Sequence, residues 1–116
     1  MHEMSIALSI IDLAAEQAKK ADASKIVEIE LDIGTMSGIE IEALNYALEI
    51  AVKDTVLEFS EIKINRIEAV SECLECGHIF VPEGFIYHCP ECKKQNTRIF
   101  KGKELQVKSI LVEDLE

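Results

Sequence analysis

The residues best suited to chemistry in this chain are its four cysteines. They stand as Cys73-Leu74-Glu75-Cys76 and Cys89-Pro90-Glu91-Cys92, with twelve residues between the pairs. A two-residue gap lets both thiolates of a pair turn toward one ion, and two such knuckles set four sulfurs in a tetrahedron. The spacing therefore reads as metal coordination. Paired disulfides would suit a redox enzyme or an oxidising compartment, and Met1-His2-Glu3 does not open like a secretory leader. Gly77 follows Cys76, where a knuckle needs a positive φ. Lys93 holds the matching place in the second knuckle and trades a steric penalty for attraction to an anionic tetrathiolate. His78 and His88 flank the quartet. Four cysteines already close a tetrahedron, so both read as surface histidines beside a metal; the sharper alternative is that they tune the site with pH or replace a thiolate. A structural zinc site and a rubredoxin-like iron site both fit the spacing. The lack of aromatic packing around the second knuckle favours zinc, and visible absorption by the purified protein would separate the two.

Met1, His2 and Glu3 offer a second donor set. The α-amine, the His2 amide nitrogen and the His2 ring nitrogen can chelate one ion in fused rings, with the Glu3 amide or carboxylate as a fourth donor. Such a planar nitrogen field suits Ni(II) or Cu(II) and not zinc. A helix begins directly afterwards, and its first amides have no intrahelical acceptor, so losing their protons breaks no backbone bond. Taken alone, His2 also reads as an ordinary surface histidine.

The elements that must position these residues follow from periodicity. From Met4 to Lys20, Met4, Leu8, Ile11, Ala15 and Ala18 mark one helical face, widened by Ala7 and Ala14. Val27, Ile29, Leu31 and Ile33 alternate with Glu28, Glu30 and Asp32, which predicts a strand with one acidic face, ended by Gly34. Ser37-Gly38-Ile39-Glu40 fits a capping box, in which the Ser37 hydroxyl accepts from the Glu40 amide and the Glu40 carboxylate reaches back. It introduces a helix to about Lys53 with Ile41, Leu44, Leu48 and Ala51 inward. A second strand is expected over about 61–70, with a bulge near Asn65-Arg66 or a change of covered face after Ile64. A third runs from Glu104 to Val112 and changes parity at Ile110. The predicted class is α+β: two helices on one face of a small mixed three-stranded sheet. Its strand-helix-strand unit gives a parallel crossover, with the third strand antiparallel. Residues 1–70 and 99–116 form the α/β domain, and 71–98 form an inserted zinc-ribbon-like module built on the four cysteines. Some thirty residues cannot bury a sufficient core, so the module needs a metal staple.

Composition narrows the functional classes. Hydrophobic residues make up 48% of the 116, enough for one core, and no apolar run approaches a membrane span of about 18 residues. A net charge of −10 repels phosphate backbones, so nucleic acid is a poor partner and basic protein surfaces or cations are better ones. A soluble, cytoplasmic protein without membrane attachment is expected. No Ser/His/Asp set or phosphate-binding glycine loop argues for an enzyme.

Met1-His2-Glu3-Met4-Ser5 opening a helix resembles the HypA/HybF family of hydrogenase-maturation nickel-insertion proteins. Gly34-Thr35-Met36-Ser37-Gly38-Ile39-Glu40 leading to Glu42-Ala43-Leu44 resembles it too, as do the two cysteine pairs and Gly102-Lys103-Glu104-Leu105. The resemblance spans nearly the whole chain. It implies a non-enzymatic nickel metallochaperone with a nickel-binding α/β domain and a separate zinc domain. Such a protein hands Ni(II) to the immature large subunit of nickel-iron hydrogenase with a GTPase partner; some relatives also serve urease. Carried over, Met1 gives its amine, His2 its ring and backbone, and Glu3 its backbone or carboxylate, while Cys73, Cys76, Cys89 and Cys92 hold Zn(II). Glu40 matches a position where some relatives carry an acidic residue implicated in nickel binding, although capping explains it equally well. Lys93-Lys94 departs from the glycine that relatives commonly place in the second knuckle. A zinc-ribbon adaptor that recruits proteins, with His2 incidental, is the competing function, and a homodimer stays open.

Overall fold

The computed structural model describes residues 2–82 and 88–113. Helix α1 covers Glu3–Lys20, strand β1 Ile26–Gly34, helix α2 Ile41–Ala51 and strand β2 Glu61–Ile67. The cysteine segment supplies β3 (Val70–Cys73), β4 (Ile79–Phe80) and β5 (Thr97–Lys101), and β6 (Leu105–Val112) follows. Two three-stranded sheets result, ordered β2-β1-β6 and β4-β3-β5. In the first, β1 pairs parallel with β2 across the α2 crossover and antiparallel with β6, which is the expected α+β arrangement.

The core sits between β1 and the two helices. Ile29, Leu31 and Ile33 of β1 are fully buried against Leu44 and Leu48 of α2 and Ala7, Ile11 and Ala14 of α1. The opposite face of β1 is polar. There Asn65 donates to Glu30 (2.7 Å) and Asp32 (2.9 Å), and this amide is the main cause that holds both carboxyls below their usual range. Lys108 reaches Glu30 at 3.5 Å on the same face.

Several local expectations need correction. The buried face of α1 is Ala7, Ile10, Ile11, Ala14 and Ala18, while Met4 (43% exposed) and Leu8 (51%) face outward and Ala15 is exposed. At 3.6 residues per turn Met4, Leu8 and Ala15 all fall on one flank of the stripe through Ala7, Ala14 and Ala18, so they lie outside the contact whatever their size. At the start of β1 the inward residue is Ile26 and Val27 is exposed, because the pairing with β6 shifts register between Ile26 and Glu28. A second shift, opposite Glu30 and Leu31, bulges β6 at Lys108. It explains the parity change there: Val107, Ile110 and Val112 all pack on the core. The second strand does not bulge at Asn65. It pairs with β1 in unbroken register, ends at Ile67, and the chain resumes as β3 in the other sheet. Helix α2 stops at Ala51, two residues short of the expected Lys53.

The chain passes between the two sheets at Ala69 on the way out and Gly102 on the way back. The turn after β1 grips both crossings. Thr35 Oγ1 accepts from the Ala69 amide (3.0 Å), and the Thr35 amide donates to the Ile67 carbonyl (2.9 Å). The Met36 amide donates to the Gly102 carbonyl (2.8 Å), and the Gly34 amide to that of Glu104 (2.7 Å). Gly102, at φ +110°, packs on Ala69, and Gly34 packs on the Gly102 carbonyl. Glu104 closes the return by accepting from the Gly102 amide at 2.8 Å.

Candidate metal centres

Among the described residues, the second sheet has little apolar interior of its own. Its fully buried side chains are Cys73, Cys89 and Ser71, whose hydroxyl donates to the Arg98 carbonyl at 3.1 Å. The two knuckles are near copies. The Gly77 amide donates to the Cys73 carbonyl and the Lys93 amide to the Cys89 carbonyl, both at 2.9 Å. The Cys73 amide donates to the His78 carbonyl and the Cys89 amide to the Lys94 carbonyl, again at 2.9 Å. Each turn needs a left-handed residue after its second cysteine, Gly77 at φ +78° and Lys93 at φ +66°. Glu75 joins the knuckles, taking Lys94 Nζ at 3.6 Å and Asn96 Nδ2 at 3.3 Å, while the Leu74 amide donates to the Asn96 carbonyl at 2.8 Å.

This frame brings the four predicted sulfurs together. All lie within 4.8 Å of one another, with Cys73 Sγ 3.5 Å from Cys92 Sγ and Cys76 Sγ 3.6 Å from Cys89 Sγ. Four sulfurs around a tetrahedral zinc at its usual bond length would stand about 3.8 Å apart, so the donor set fits a closed four-thiolate site. The Cys76 amide, directed at Cys73 Sγ at 3.5 Å, is the main cause that brings the Cys73 thiol down to about 6. Cys76 moves the other way. The His78 amide acts to lower it, but burial and the Cys89, Cys73 and Cys92 sulfurs outweigh that and push it up to about 12.

His78 and His88 stay outside this set. The His78 ring stacks on Phe80 with centroids 5.9 Å apart, and His88 Nε2 lies 2.9 Å from Gln95 Nε2. Among the described residues, the cysteine quartet is the one group of three or more such side chains close enough to share an ion. Lys93 carries a left-handed backbone on a side chain that disfavours it, so Lys93→Gly should stabilise the module by up to about 1 kcal/mol. Competition with a chelator checks this: the glycine variant should surrender its metal more slowly. Faster loss would mean that the lysine charge outweighs the backbone strain.

The amino-terminal set is only partly described. Met1 lies outside the described residues. His2 is the N-cap of α1, exposed, with its carbonyl accepting from the Ile6 amide at 2.9 Å. Glu3 is buried, at 8% exposure, and its Oε2 accepts from the Glu40 amide at 3.1 Å. This overturns the expected capping box. Ser37 Oγ takes the Ile39 amide at 3.2 Å, Glu40 makes no side-chain cap, and the acceptor for its amide comes from Glu3, 37 positions upstream. No local pattern could have revealed that bond. Glu40 keeps an exposed side chain beside the buried Glu3, so capping no longer accounts for its carboxylate.

With this geometry in view, comparison with known proteins is decisive. Residues 1–112 match the family model described as hydrogenase/urease nickel incorporation, metallochaperone, hypA. The chain belongs to the HypA family. Among curated relatives it is 45% identical to a hydrogenase maturation factor HypA of Parabacteroides distasonis over 97% of both chains. A protein of the same name from Chlorobaculum parvum is 42% identical, over 97% of this chain and all of its own. The solution structure of the Ni metallochaperone HypA from Helicobacter pylori superposes with a TM-score of 0.68 at 30% identity, over 97% of each chain. A second solution structure of a HypA protein gives 0.72 at the same identity and coverage. HypA family membership makes this a nickel-incorporation protein of metallochaperone type. None of its described helices is long and apolar enough to cross a membrane.

Proposed function

We propose that this chain binds Ni(II) at its amino terminus and delivers it, as cargo, for maturation of nickel-iron hydrogenase. The observation that carries the reading is the exposed His2 standing just ahead of α1, on a helix end fixed from behind by Glu3. A flexible tail would lose more conformational freedom on chelation than a terminus that is already anchored. Met1 would give its amine, His2 its ring and amide nitrogen, and Glu3 a further donor. Cys73, Cys76, Cys89 and Cys92 would hold Zn(II), which fixes the module and leaves no open coordination position for catalysis. The protein is thus a carrier and not an enzyme. Residues 1–70 and 99–116 act as the nickel-binding domain and 71–98 as the zinc module. Its partners are the pathway GTPase and the immature hydrogenase large subunit, met in the cytoplasm, with self-association into a homodimer compatible with the role.

Metal analysis of untagged protein tests this. One nickel per chain beyond the zinc is expected, lost in His2→Ala and equally lost when a residue is added before Met1. Nickel binding that survives the extension would remove the amine-amide chelate. Zero nickel in the wild type, with zinc present, would favour a zinc-ribbon adaptor instead.

A further inference from the structure

We propose that the apolar groove between α1 and β6 is a docking site for a basic amphipathic helix of a partner protein. Strand β6 is an edge of the first sheet, and the flank of α1 stands off it, leaving two adjoining cavities. The larger, of 410 Å³, is lined chiefly by Leu13, Gln17, Ala21, Val107, Ile110 and Val112. The smaller, of 220 Å³, lies between Ile6, Ile10, Leu13, Leu105 and Val107. Leu13 and Val107 belong to both. The cavities therefore form one trough that follows α1 from Ile6 to Ala21, a length of about 22 Å. Its lips are Leu13 and Leu105, each 41% exposed. Large apolar side chains left open along a continuous groove mark a contact surface, unlike apolar residues scattered singly.

Shape and charge select the occupant. On α1 the two cavities centre near Gln17 and Ile10, two turns or about 11 Å apart, which suits apolar side chains at i and i+7 of a helix lying along the trough. A strand added to the β6 edge would meet the bulge at Lys108, which breaks the ladder that a new strand needs. No charged residue lines either cavity. One step outward on α1 stand the exposed Asp12 and Glu16; Lys20, the base beside them, is paired with Glu16 at 3.6 Å. Lys108 reaches away, to Glu30 on the opposite face of the sheet. The trough is thus apolar within and acidic along its α1 rim, on a chain of net charge −10. A second copy would bring the same −10 against it, whereas Lys and Arg on the flanks of an incoming helix meet it with opposite sign. Nothing in this contact depends on nickel at the amino terminus.

The test uses the full, untagged chain and a fluorescent synthetic peptide of about four helical turns, with leucines at i, i+3, i+4 and i+7 and lysines on both flanks. Its anisotropy should rise saturably with wild-type protein. Leu13→Ser should weaken binding about tenfold or more by removing the wall that both cavities share. Gln17→Trp should weaken it comparably by filling the larger cavity from its side. Leu8→Ser, on the outward flank of α1, should leave it unchanged. Amide exchange at Ile29 and Leu31 checks that each variant keeps the core. The same peptide with glutamates on its flanks, or with a central proline, should bind about tenfold more weakly or worse. The proposal is overturned if the lysine peptide does not bind saturably, if Leu8→Ser matters as much as Leu13→Ser, or if the glutamate or proline peptide binds as well as its parent. It is overturned too if the wild type sediments as a dimer that Leu13→Ser dissociates, because the groove would then belong to a second copy.

Discussion

Cys89→Ser is expected to unfold the cysteine module while leaving the α/β body folded. Cys89 is fully buried, and its backbone closes the second knuckle through Lys93 and Lys94. The sheet around it has short strands, and among the described residues its fully buried side chains are Cys73, Cys89 and Ser71. Once the metal is lost, little remains to offset the ordering entropy of the segment. Structural zinc sites of this type contribute on the order of 10–16 kcal/mol of apparent binding free energy at neutral pH, far more than so small a sheet can replace. A serine hydroxyl does not ionise near neutral pH and makes a poor fourth ligand. Amide exchange gives the direct measurement. Ser71, Glu72 and Arg98 should lose protection, while Ile29, Leu31 and Leu48, which belong to the separate core, should keep theirs. Full protection of the module in Cys89→Ser, or in wild type stripped by a chelator, would mean that the quartet is not what holds it.

The second large effect is expected at Gly34→Ala. An added Cβ would lie 2.0 Å from the Gly102 carbonyl oxygen, 2.1 Å from its carbon and 2.6 Å from the Lys103 amide. These are backbone atoms, and the Gly102 carbonyl is already tied to the Met36 amide. It cannot move aside without undoing the crossing between the sheets. Forced overpacking of this kind costs about 3 kcal/mol or more. Gly38→Ala is the informative control. At φ +84°, with nothing within 4 Å of the built Cβ, it carries conformational strain alone, about 1 kcal/mol. Denaturant titration should therefore place Gly34→Ala well below Gly38→Ala. Equal midpoints would show that the crossing is soft.

Which features could be read in advance depends on how local their physics is. The clustering of Cys73, Cys76, Cys89 and Cys92 is legible because the spacing of two C-x-x-C pairs turns their side chains toward one point, and the structure gathers those sulfurs within 4.8 Å. The alternation of Ile29, Leu31 and Ile33 with Glu30 and Asp32 was equally transparent, since a strand's two faces are fixed by its period. On α1 the periodicity marks Ala7, Ile11, Ala14 and Ala18, which are buried, but it also marks Met4, Leu8 and Ala15, which flank the stripe and are exposed, and it leaves out the buried Ile10. Parity breaks are visible in the sequence, but it does not fix what causes them. One proved to be a bulge at Lys108, opposite β1, and the other a passage into a second sheet after Ile67. The Glu3–Glu40 bond joins residues with no sequence relation, and the Ser37-x-x-Glu40 pattern pointed to a different partner. Only the fold supplies it.

The contact between Gly102 and Ala69 also bears on how the chain tolerates change in length. Everything from Val70 to Lys101 departs from and returns to one point on the α/β body. To that body the cysteine segment is a closed loop whose two ends are already joined. The entropy of closing such a loop grows only with the logarithm of its length, about 0.6 kcal/mol for each doubling. Insertions or deletions beyond the joined ends therefore weigh little on the core, and the segment can be exchanged for one of another size as long as Thr35, Gly102 and Ala69 still meet.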